Sequence, residues 1–481
     1  MGTFSEYERY DGLGLAELVA RREVTARELL ETAIERVEQR NPAINAVTGR
    51  LYEQARASVA RGLPPGPFTG VPYLLKDAGI QYAGAVTSHG SQLFRNTVSD
   101  HDSEIVSRSK RAGLVIFGMT NTPELALSTS SEPRLFGPTH NPWNLDYSAG
   151  GSSGGSAAAI ASGMVPMAHA TDGGGSIRIP ASVCGLFGLK PTRARTPVGP
   201  DLGEVWAGAG VGHAITRTVR DSAALLDTIA GPEIGDPYCA PTPGRPFLAA
   251  VGEEPGSLKI AVTTQAWNGQ KTHPECAAAV EAAARVCEQL GHRVEEARPE
   301  WDEQARAAAT RVIIGANLRT SLDEHAKRIG KEISAQDVEP RTWSVAEYGR
   351  EKTASDYAHA IREVHQMGRA LGRFFTSWDV LLTPTMCDPP YKLGVLSMAN
   401  PDNASYLQAL LATIAFTAPF NSSGHPAMSV PLHFTKNRLP VGVQFVARFG
   451  EEDRLLQLAR QLEVAQPWFN RLPAWVTQGR Q

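Results

Sequence analysis

Apolar positions along the chain follow two patterns, short continuous runs and longer stripes with helical spacing. The short runs have the length of buried strands and occupy residues 71–75, 114–117, 258–262, 380–382 and 441–446. Amphipathic segments lie between them, such as residues 221–230, which Gly231 ends. This alternation of strands and helices predicts an α/β protein with a largely covered sheet.

Two further helical regions are predicted, one near the start of the chain and one in its middle. Thr25 and Glu28 have the spacing of a capping box, and an apolar stripe follows until Asn41-Pro42 ends the pattern. Residues 268–375 are rich in Ala, Glu and Arg and are typical of helices. We therefore predict a single domain over residues 1–481, with a mostly helical lobe inserted at approximately 241–400.

Composition and charge argue against several classes of function. Of the 481 residues, 47 are Lys or Arg and 50 are Asp or Glu, so no basic excess indicates nucleic-acid binding. The most apolar stretch, residues 410–420, is far shorter than the roughly 20 residues of a membrane span. The first residues are polar and lack the pattern of a signal peptide. We expect a cytoplasmic protein with neither nucleic acid nor a membrane as partner.

The five cysteines are scattered along the chain, and none belongs to a CxxC pair. This pattern predicts neither a disulfide framework nor a zinc site, and we expect no metal and no organic cofactor. Cys184 lies within the glycine- and serine-rich part of the chain, where we expect it to pack as a small apolar residue.

Glycine and serine are concentrated in residues 148–192, in two runs that are each followed by apolar residues. The first run is GGSSGG at residues 150–155, and the second is DGGGS at residues 172–176. A flexible linker would lack the apolar residues that follow. A run of glycines before a serine can direct successive backbone N–H groups at one point, which an oxyanion hole requires.

Five segments of the sequence resemble the amidase signature family. They are GVPYLLKD at 70–77, GMTNTPE at 118–124, the glycine-rich block at 148–192, NSSGHPA at 421–427 and LPVGVQ at 439–444. The overall pattern is most similar to the branch that contains 6-aminohexanoate cyclic-dimer hydrolases and aryl acylamidases. The resemblance implies the amidase signature fold, with a large mixed, mostly parallel central sheet that helices cover on both faces.

The resemblance also implies a catalytic triad. Ser176 matches the family's nucleophile, and Lys76 matches its base. Ser152 matches the bridging serine, which the family usually places after a cis peptide bond. The oxyanion hole would be formed by the backbone amides of Gly173, Gly174, Gly175 and Ser176. Residues expected to support this arrangement are Ser153 and the flanking pair Asp172 and Arg178.

Three residues are predicted to contact the substrate. Asn121 is expected to form hydrogen bonds in the wall of the pocket. Met119 stands where many relatives carry lysine, which indicates either a more apolar pocket or core packing. Trp206 lies in the glycine-rich residues 197–212, which form either a mobile loop over the site or an ordinary surface loop.

Lysine can serve as the base only when it is neutral, because it must accept the proton of a serine hydroxyl. Its ordinary pKa of about 10.4 must fall by roughly three units for this to occur near pH 7, and burial next to residues 71–75 would lower it. Asp77 would oppose this shift if it pointed inward, so we expect it to point elsewhere. His169 is the histidine nearest to Ser176 in sequence, and a direct role for it is disfavoured.

We therefore predict an amidohydrolase that cleaves aryl or oligomeric amides through an acyl-enzyme, with carbamate (urethane) bonds as a further substrate class and a homodimer as the expected assembly. The alternative is the amidase subunit of a tRNA-dependent amidotransferase, which releases ammonia from glutamine for a partner protein. An α/β-hydrolase is disfavoured because no good strand precedes the GxSxG match at residues 150–154. The intact triad argues against a binding protein without catalysis.

Overall fold

The computed structural model describes residues 4–478. The strands are β1 (Val47–Arg50), β2 (Pro72–Lys76), β3 (Val115–Thr120), β4 (His140–Asn141), β5 (Asn144–Ser148), β6 (Met167–Asp172), β7 (Phe187–Lys190), β8 (Val211–Thr216), β9 (Lys259–Val262), β10 (Arg293–Glu296), β11 (Val380–Pro384), β12 (Ala427–Phe434) and β13 (Pro440–Ala447). The helices of the first half are α1 (Gly12–Ala20), α2 (Ala26–Ile44), α3 (Tyr52–Arg61), α4 (Glu104–Arg111), α5 (Gly154–Ala161), α6 (Arg178–Cys184) and α7 (Val219–Ile229). Those of the second half are α8 (Phe247–Val251), α9 (Pro274–Gln289), α10 (Glu303–Ile329), α11 (Pro340–Arg350), α12 (Ala354–Phe374), α13 (Asn403–Ile414), α14 (Ala418–Ser423), α15 (Glu452–Ala465) and α16 (Ala474–Gln478). Two short 3-10 turns occupy Tyr7–Arg9 and Glu124–Ala126.

One large mixed sheet forms the centre of the molecule, with helices packed around it. Its strand order is β1-β3-β2-β6-β8-β7-β12-β13-β11-β9-β10, and β4 and β5 form a separate pair. Parallel pairing occurs in two groups of three strands, β3-β2-β6 and β11-β9-β10. Antiparallel pairs join these groups through β8, β7, β12 and β13. The predicted α/β fold with a large mixed sheet is thereby confirmed, and its parallel part consists of these two groups.

Each apolar run that predicted a buried strand coincides with a strand of the central sheet. The runs at 71–75, 114–117, 258–262, 380–382 and 441–446 correspond to β2, β3, β9, β11 and β13. β2, β3, β11 and β13 are buried along their whole length. Continuous apolar sequence was therefore a reliable signal, because a sheet covered by helices leaves these strands no solvent-facing side.

The helix near the start of the chain begins as predicted and ends later. The capping box of Thr25 and Glu28 is present in α2. The helix continues past Pro42 and ends at Ile44, so the end predicted at Asn41-Pro42 was wrong. Asn41 explains the extension, because its side-chain oxygen accepts hydrogen bonds from the amides of Ala46 and Val47, both at 2.8 Å. These bonds fix the chain just after the last turn.

The predicted lobe at 241–400 contains strands as well as helices. Three of its strands, β9, β10 and β11, belong to the central sheet. Its helical part consists of α10, α11 and α12, with α10 packed against both of the others. None of the helices in residues 4–478 has the length and apolar character needed to cross a membrane.

Candidate active site

Lys76 is the last residue of β2 and is completely buried. Its Nζ donates hydrogen bonds to Ser152 Oγ at 2.6 Å and to Thr171 Oγ1 at 2.7 Å. Thr171 lies on β6, the neighbour of β2 in the sheet. The apolar strand thus carries the amine into the interior, where only two hydroxyl oxygens receive its hydrogen bonds.

This environment favours the neutral form of the lysine. Burial lowers the pKa of Lys76 to about 7, against a smaller opposing effect from the charge of Asp172. Asp77 points away, as expected from the sequence, because its carboxylate accepts hydrogen bonds from the amide of Ser88, at 2.7 Å, and from the Ser88 hydroxyl. A substantial neutral fraction of Lys76 at neutral pH follows from its burial.

Ser152 lies in a tight loop before α5, and the peptide bond between Gly151 and Ser152 is cis. Ser131 closes this loop, since its hydroxyl contacts the Ser152 carbonyl at 3.3 Å and accepts from the Gly154 amide at 3.0 Å. A Cβ on Gly151 would lie 2.6 Å from the Ser130 backbone nitrogen, which explains the glycine. Ser153 donates from its hydroxyl to the Thr171 carbonyl at 3.3 Å and so supports the loop.

Ser176 lies in the turn that joins β6 to α6. It is partly exposed, in contrast to Lys76 and Ser152. Its hydroxyl forms no hydrogen bond with any other residue in the range 4–478. Lys76 and Ser152 are thus joined by a hydrogen bond in the interior. Ser176 lies closer to solvent than either of them, and its hydroxyl is not engaged by another described residue.

The peptide N–H and carbonyl groups of residues 172–176 differ in whether they form hydrogen bonds. The Gly175 amide donates to the Asp172 carboxylate at 2.7 Å, and the carbonyl of the same peptide unit, Gly174 O, accepts from Thr417 Oγ1 at 2.7 Å. Gly175 N–H is therefore occupied, and this geometry argues against its predicted role in the oxyanion hole. Across the described chain, the amides of Gly173, Gly174 and Ser176 donate no hydrogen bond.

Asp172 and Arg178 form a completely buried ion pair behind this segment. Arg178 donates to both carboxylate oxygens of Asp172, at 2.9 and 2.8 Å. Its other hydrogen bonds reach the Thr417 carbonyl at 3.0 Å, Gln444 Oε1 at 2.7 Å and Asn421 Oδ1 at 2.6 Å. Burial alone would raise the pKa of Asp172, but the charge and hydrogen bonds of Arg178 outweigh it and hold that pKa well below its usual range.

Two of the residues predicted to contact substrate are directed elsewhere. Asn121 is buried, and its amide group donates to the Gly137 carbonyl and to Thr139 Oγ1, both at 3.0 Å. Met119 belongs to the hydrophobic core and packs against Gly49 of β1, where a Cβ would lie 2.9 Å from the Met119 Cβ. These contacts give Asn121 a role in holding loops and favour core packing for Met119.

The glycine-rich residues 197–212 consist of an exposed part and an anchored part. Residues 200–204 are exposed. From Val205 to Gly210 the chain folds back on itself, with Gly210 N donating to Val205 O at 3.0 Å. Arg193 Nε contacts the Gly208 carbonyl at 3.1 Å, and Asn421 Nδ2 contacts the Ala209 carbonyl at 3.0 Å. Trp206 therefore lies on a fixed turn, and the mobile-loop interpretation can apply only to the exposed part.

His169 and Cys184 are buried, and within residues 4–478 neither side chain forms a hydrogen bond with the hydroxyl groups of Ser152 and Ser176. Neither ring nitrogen of His169 forms a hydrogen bond among the described residues. Burial, reinforced by the charges of Lys76 and His213, lowers the pKa of His169 to about 3, so its ring is neutral. Cys184 is buried, and burial raises the pKa of its thiol, which is consistent with packing.

Sequence reasoning missed four residues that hold the site together. They are Thr171, Thr417, Asn421 and Gln444. Thr171, Asn421 and Gln444 lie inside segments that resemble the family, which was the available signal, but those segments did not indicate their contacts. In the described chain, residues 4–478, no group of His, Cys, Asp and Glu side chains is arranged to hold a metal ion.

The central sheet, the buried lysine and the two serine-containing loops together are typical of an amidase. The chain belongs to the amidase signature family, and the family model described as Amidase matches residues 28–456. The predicted resemblance is confirmed, and the protein is accordingly an amidohydrolase that acts on amide bonds.

Several similar proteins align with this chain over nearly their whole length. A 6-aminohexanoate-cyclic-dimer hydrolase from Paenarthrobacter ureafaciens is 39% identical over 98% of this chain and 97% of its own length. A solved 6-aminohexanoate cyclic dimer hydrolase has a TM-score of 0.92 and covers 97% of this chain and 99% of its own. A bacterial aryl acylamidase has a TM-score of 0.89 at 26% identity, covering 97% and 98%.

The family also includes a protein of the kind named in the alternative prediction. A solved glutamyl-tRNA(Gln) amidotransferase subunit from Thermotoga maritima is 28% identical, with a TM-score of 0.76 and coverage of 97% of both chains. Its similarity to this chain is lower than that of the cyclic-dimer hydrolase in both identity and fold. The comparisons therefore do not favour the amidotransferase alternative.

Proposed function

We propose that the protein hydrolyses amides through an acyl-enzyme on Ser176, with Ser152 and Lys76 transferring the proton. The observation that carries this proposal is the contact of 2.6 Å between Ser152 Oγ and a fully buried lysine whose pKa is lowered to about 7. A neutral amine at this position can accept the hydroxyl proton.

Attack on the substrate begins with two proton transfers. Lys76 Nζ takes the proton of Ser152 Oγ, which takes the proton of Ser176 Oγ as that oxygen bonds to the carbonyl carbon. The carbonyl π electrons move to oxygen, and the unoccupied amides of Gly173, Gly174 and Ser176 stabilise the resulting oxyanion. The fixed Asp172–Arg178 pair keeps these amides in place by anchoring the turn through Gly175.

During breakdown of the tetrahedral intermediate, the proton transfers run in the opposite direction, from Lys76 through Ser152 to the leaving amine. The carbon–nitrogen bond breaks as Ser152 delivers a proton to the leaving amine and regains one from Lys76. Water then attacks the acyl-enzyme by the same relay, releasing the acid and restoring Ser176. A carbamate offers the same carbonyl and an amine leaving group, so we include carbamates among the substrates.

The names of the relatives support a choice of substrate class. The cyclic-dimer hydrolase is named for an oligomeric amide of 6-aminohexanoate, and the aryl acylamidase for aryl amides. We therefore assign aryl or oligomeric amides to this chain as substrates. From the sequence, and not from these names, we also propose a cytoplasmic enzyme that acts without a partner protein.

The test follows hydrolysis of a nitroanilide, an aryl carbamate, a cyclic amide dimer and glutamine by the purified chain. We expect turnover of at least one of the first three, with the Ser176→Ala variant at background. Hydroxylamine supplies a second readout, because an anilide and an ester of the same acid share one acyl-enzyme. They should therefore give the same ratio of hydroxamate to acid.

Two results would contradict the proposal. A ratio that differs between the anilide and the ester would mean that water or hydroxylamine attacks the substrate directly. Turnover of glutamine alone would instead favour the amidotransferase alternative.

A further inference from the structure

Trp206 lies between the segment that carries the unoccupied amides and the helices α10 and α12. A Cβ on Gly173 would lie 2.6 Å from Cζ3 and 2.8 Å from Cε3 of the Trp206 ring. The same tryptophan packs against an apolar cluster formed by Ala309, Ile313, Ala360 and Val364. The ring therefore fills the space between the Gly173 backbone and the helical part of the protein.

Hydrogen bonds fix the backbone around Trp206, in addition to the packing of its ring. Its φ of 51° lies in the left-handed region, which a bulky residue adopts only when its surroundings impose it. The Ala209 amide donates to the Trp206 carbonyl at 3.1 Å. Asn421 then joins this turn to the catalytic segment, because its amide group contacts both the Ala209 and the Asp172 carbonyls at 3.0 Å.

These contacts define the direction of one amide. The peptide unit between Asp172 and Gly173 is planar, so its carbonyl and its N–H point in opposite directions. Asn421 holds the carbonyl end, and the Trp206 ring covers the Gly173 Cα. Rotation of this unit would break the hydrogen bond from Asn421, and a shift of Gly173 toward the helical part would bring it against the Trp206 ring.

We propose that Trp206 is a positioning residue, which transmits the rigid packing of α10 and α12 to the Gly173 amide and thereby aims that N–H at the oxyanion. The inference rests on the proposed function, since Gly173 has this task only if Ser176 forms the acyl-enzyme. It assigns the helical part a role in catalysis without contact between those helices and the reacting atoms.

The test is a double-mutant cycle between Gly173 and Trp206. Gly173→Ala forces a methyl group against the ring, and we expect kcat to fall by about a hundredfold, as for the loss of one oxyanion donor, with KM changed less than about threefold. Trp206→Ala alone should lower kcat by about tenfold. In the Gly173→Ala/Trp206→Ala variant the methyl group has room, and we expect kcat to rise at least about tenfold above Gly173→Ala.

Gly174 provides the matched control. A Cβ there would meet nothing within 4 Å, so adding Trp206→Ala to Gly174→Ala should multiply the two separate effects and give no recovery. Melting curves and the milder Trp206→Phe variant, in which a smaller ring remains against the cluster, check that the fold persists. An intact acyl-enzyme signal in the wild type, absent from Ser176→Ala, separates failure of this inference from failure of the proposed function.

Two results would overturn the inference. One is a double variant no more active than Gly173→Ala. The other is a Trp206→Ala variant that raises KM at unchanged kcat, which would make the ring a wall of the substrate site.

Discussion

Replacing Lys76 by methionine is expected to lower kcat/KM by at least about a thousandfold and to leave the protein folded. Methionine is of similar length and apolar, so it fills the buried space but cannot accept a proton from Ser152. When several residues act as one catalytic unit, removing any one of them abolishes most of the rate enhancement that the unit provides. The measurement is the steady-state hydrolysis of the best amide substrate, with the melting temperature recorded in parallel.

Lys190 supplies a matched control for this substitution. It is the other fully buried lysine, and burial, together with the charge of Arg178, lowers its pKa to about 7 as well. Its Nζ donates to the Pro191 carbonyl at 2.8 Å and, among the described residues, forms no hydrogen bond with Ser152 or Ser176. We expect Lys190→Met to cost less than about tenfold in kcat/KM. Equal losses in the two variants would refute a specific role for Lys76.

The pH profile of the wild type tests Lys76 as the proposed base. With a pKa of about 7, neutral Lys76 becomes about tenfold scarcer for each pH unit below that value, so kcat/KM should rise with pH and level off above about 7. In the folded state this pKa lies below the ordinary 10.5. The unfolded chain therefore binds more protons between about pH 7 and 10.5, and the contribution of Lys76 to stability increases with pH in that window. Lys76→Met should remove that increase, and a flat activity profile between pH 5 and 9 would contradict the assignment.

The sequence predicted those parts of the site that depend on neighbouring residues in the chain. The apolar run at 71–75 predicted both a buried strand and a lowered pKa for the lysine that follows it, because burial of the strand carries the amine inward. The two glycine runs likewise predicted the loops that carry Ser152 and Ser176. Each of these signals is contained in fewer than ten consecutive residues.

The contacts that the sequence did not predict connect distant parts of the chain. Arg178 binds Asn421 and Gln444, which are 243 and 266 positions away. Which strands meet near α6 depends on the order of the whole sheet, in which β12 lies next to β7 and β13 lies next to β12. Local spacing carries no information on that order. Asn121 shows that membership of a family segment does not fix a residue's role. Its side chain forms hydrogen bonds with the loop residues Gly137 and Thr139 instead of lining the site.

Replacing Arg178 by methionine is expected to lower the free energy of unfolding by about 3–5 kcal/mol, the usual effect of removing one partner from a buried ion pair. Both side chains of the pair are 0% exposed. Asp172 would retain donors from the backbone amides of Gly175, Ile177 and residue 178 and from the side chain of Asn421. Urea unfolding followed by tryptophan fluorescence measures the loss, and the partly exposed pair of Arg56 and Glu31 is the control. Arg56→Met should lower the free energy by less than about 1 kcal/mol.

The pH dependence of this loss identifies its cause. In the wild type the pKa of Asp172 is lowered, so its stabilising contribution is present above the ordinary value of 3.8 and disappears only as the pH falls through the lower folded value. Without Arg178, burial dominates and raises that pKa, and the carboxyl group can take up a proton near neutral pH. The loss in Arg178→Met should therefore be largest at pH 8 and smaller at pH 5.5.

Adding Asp172→Asn should recover part of the stability lost in Arg178→Met, because the double variant has no buried charge at this position. It should not recover kcat, since the amide group of an asparagine offers one acceptor oxygen where the carboxylate offers two. Those two oxygens now bind Gly175 and Ile177 separately and so fix both sides of Ser176. Recovery of stability without recovery of activity would separate the two tasks of the ion pair, which holds the fold through its charge and the turn of Ser176 through its geometry.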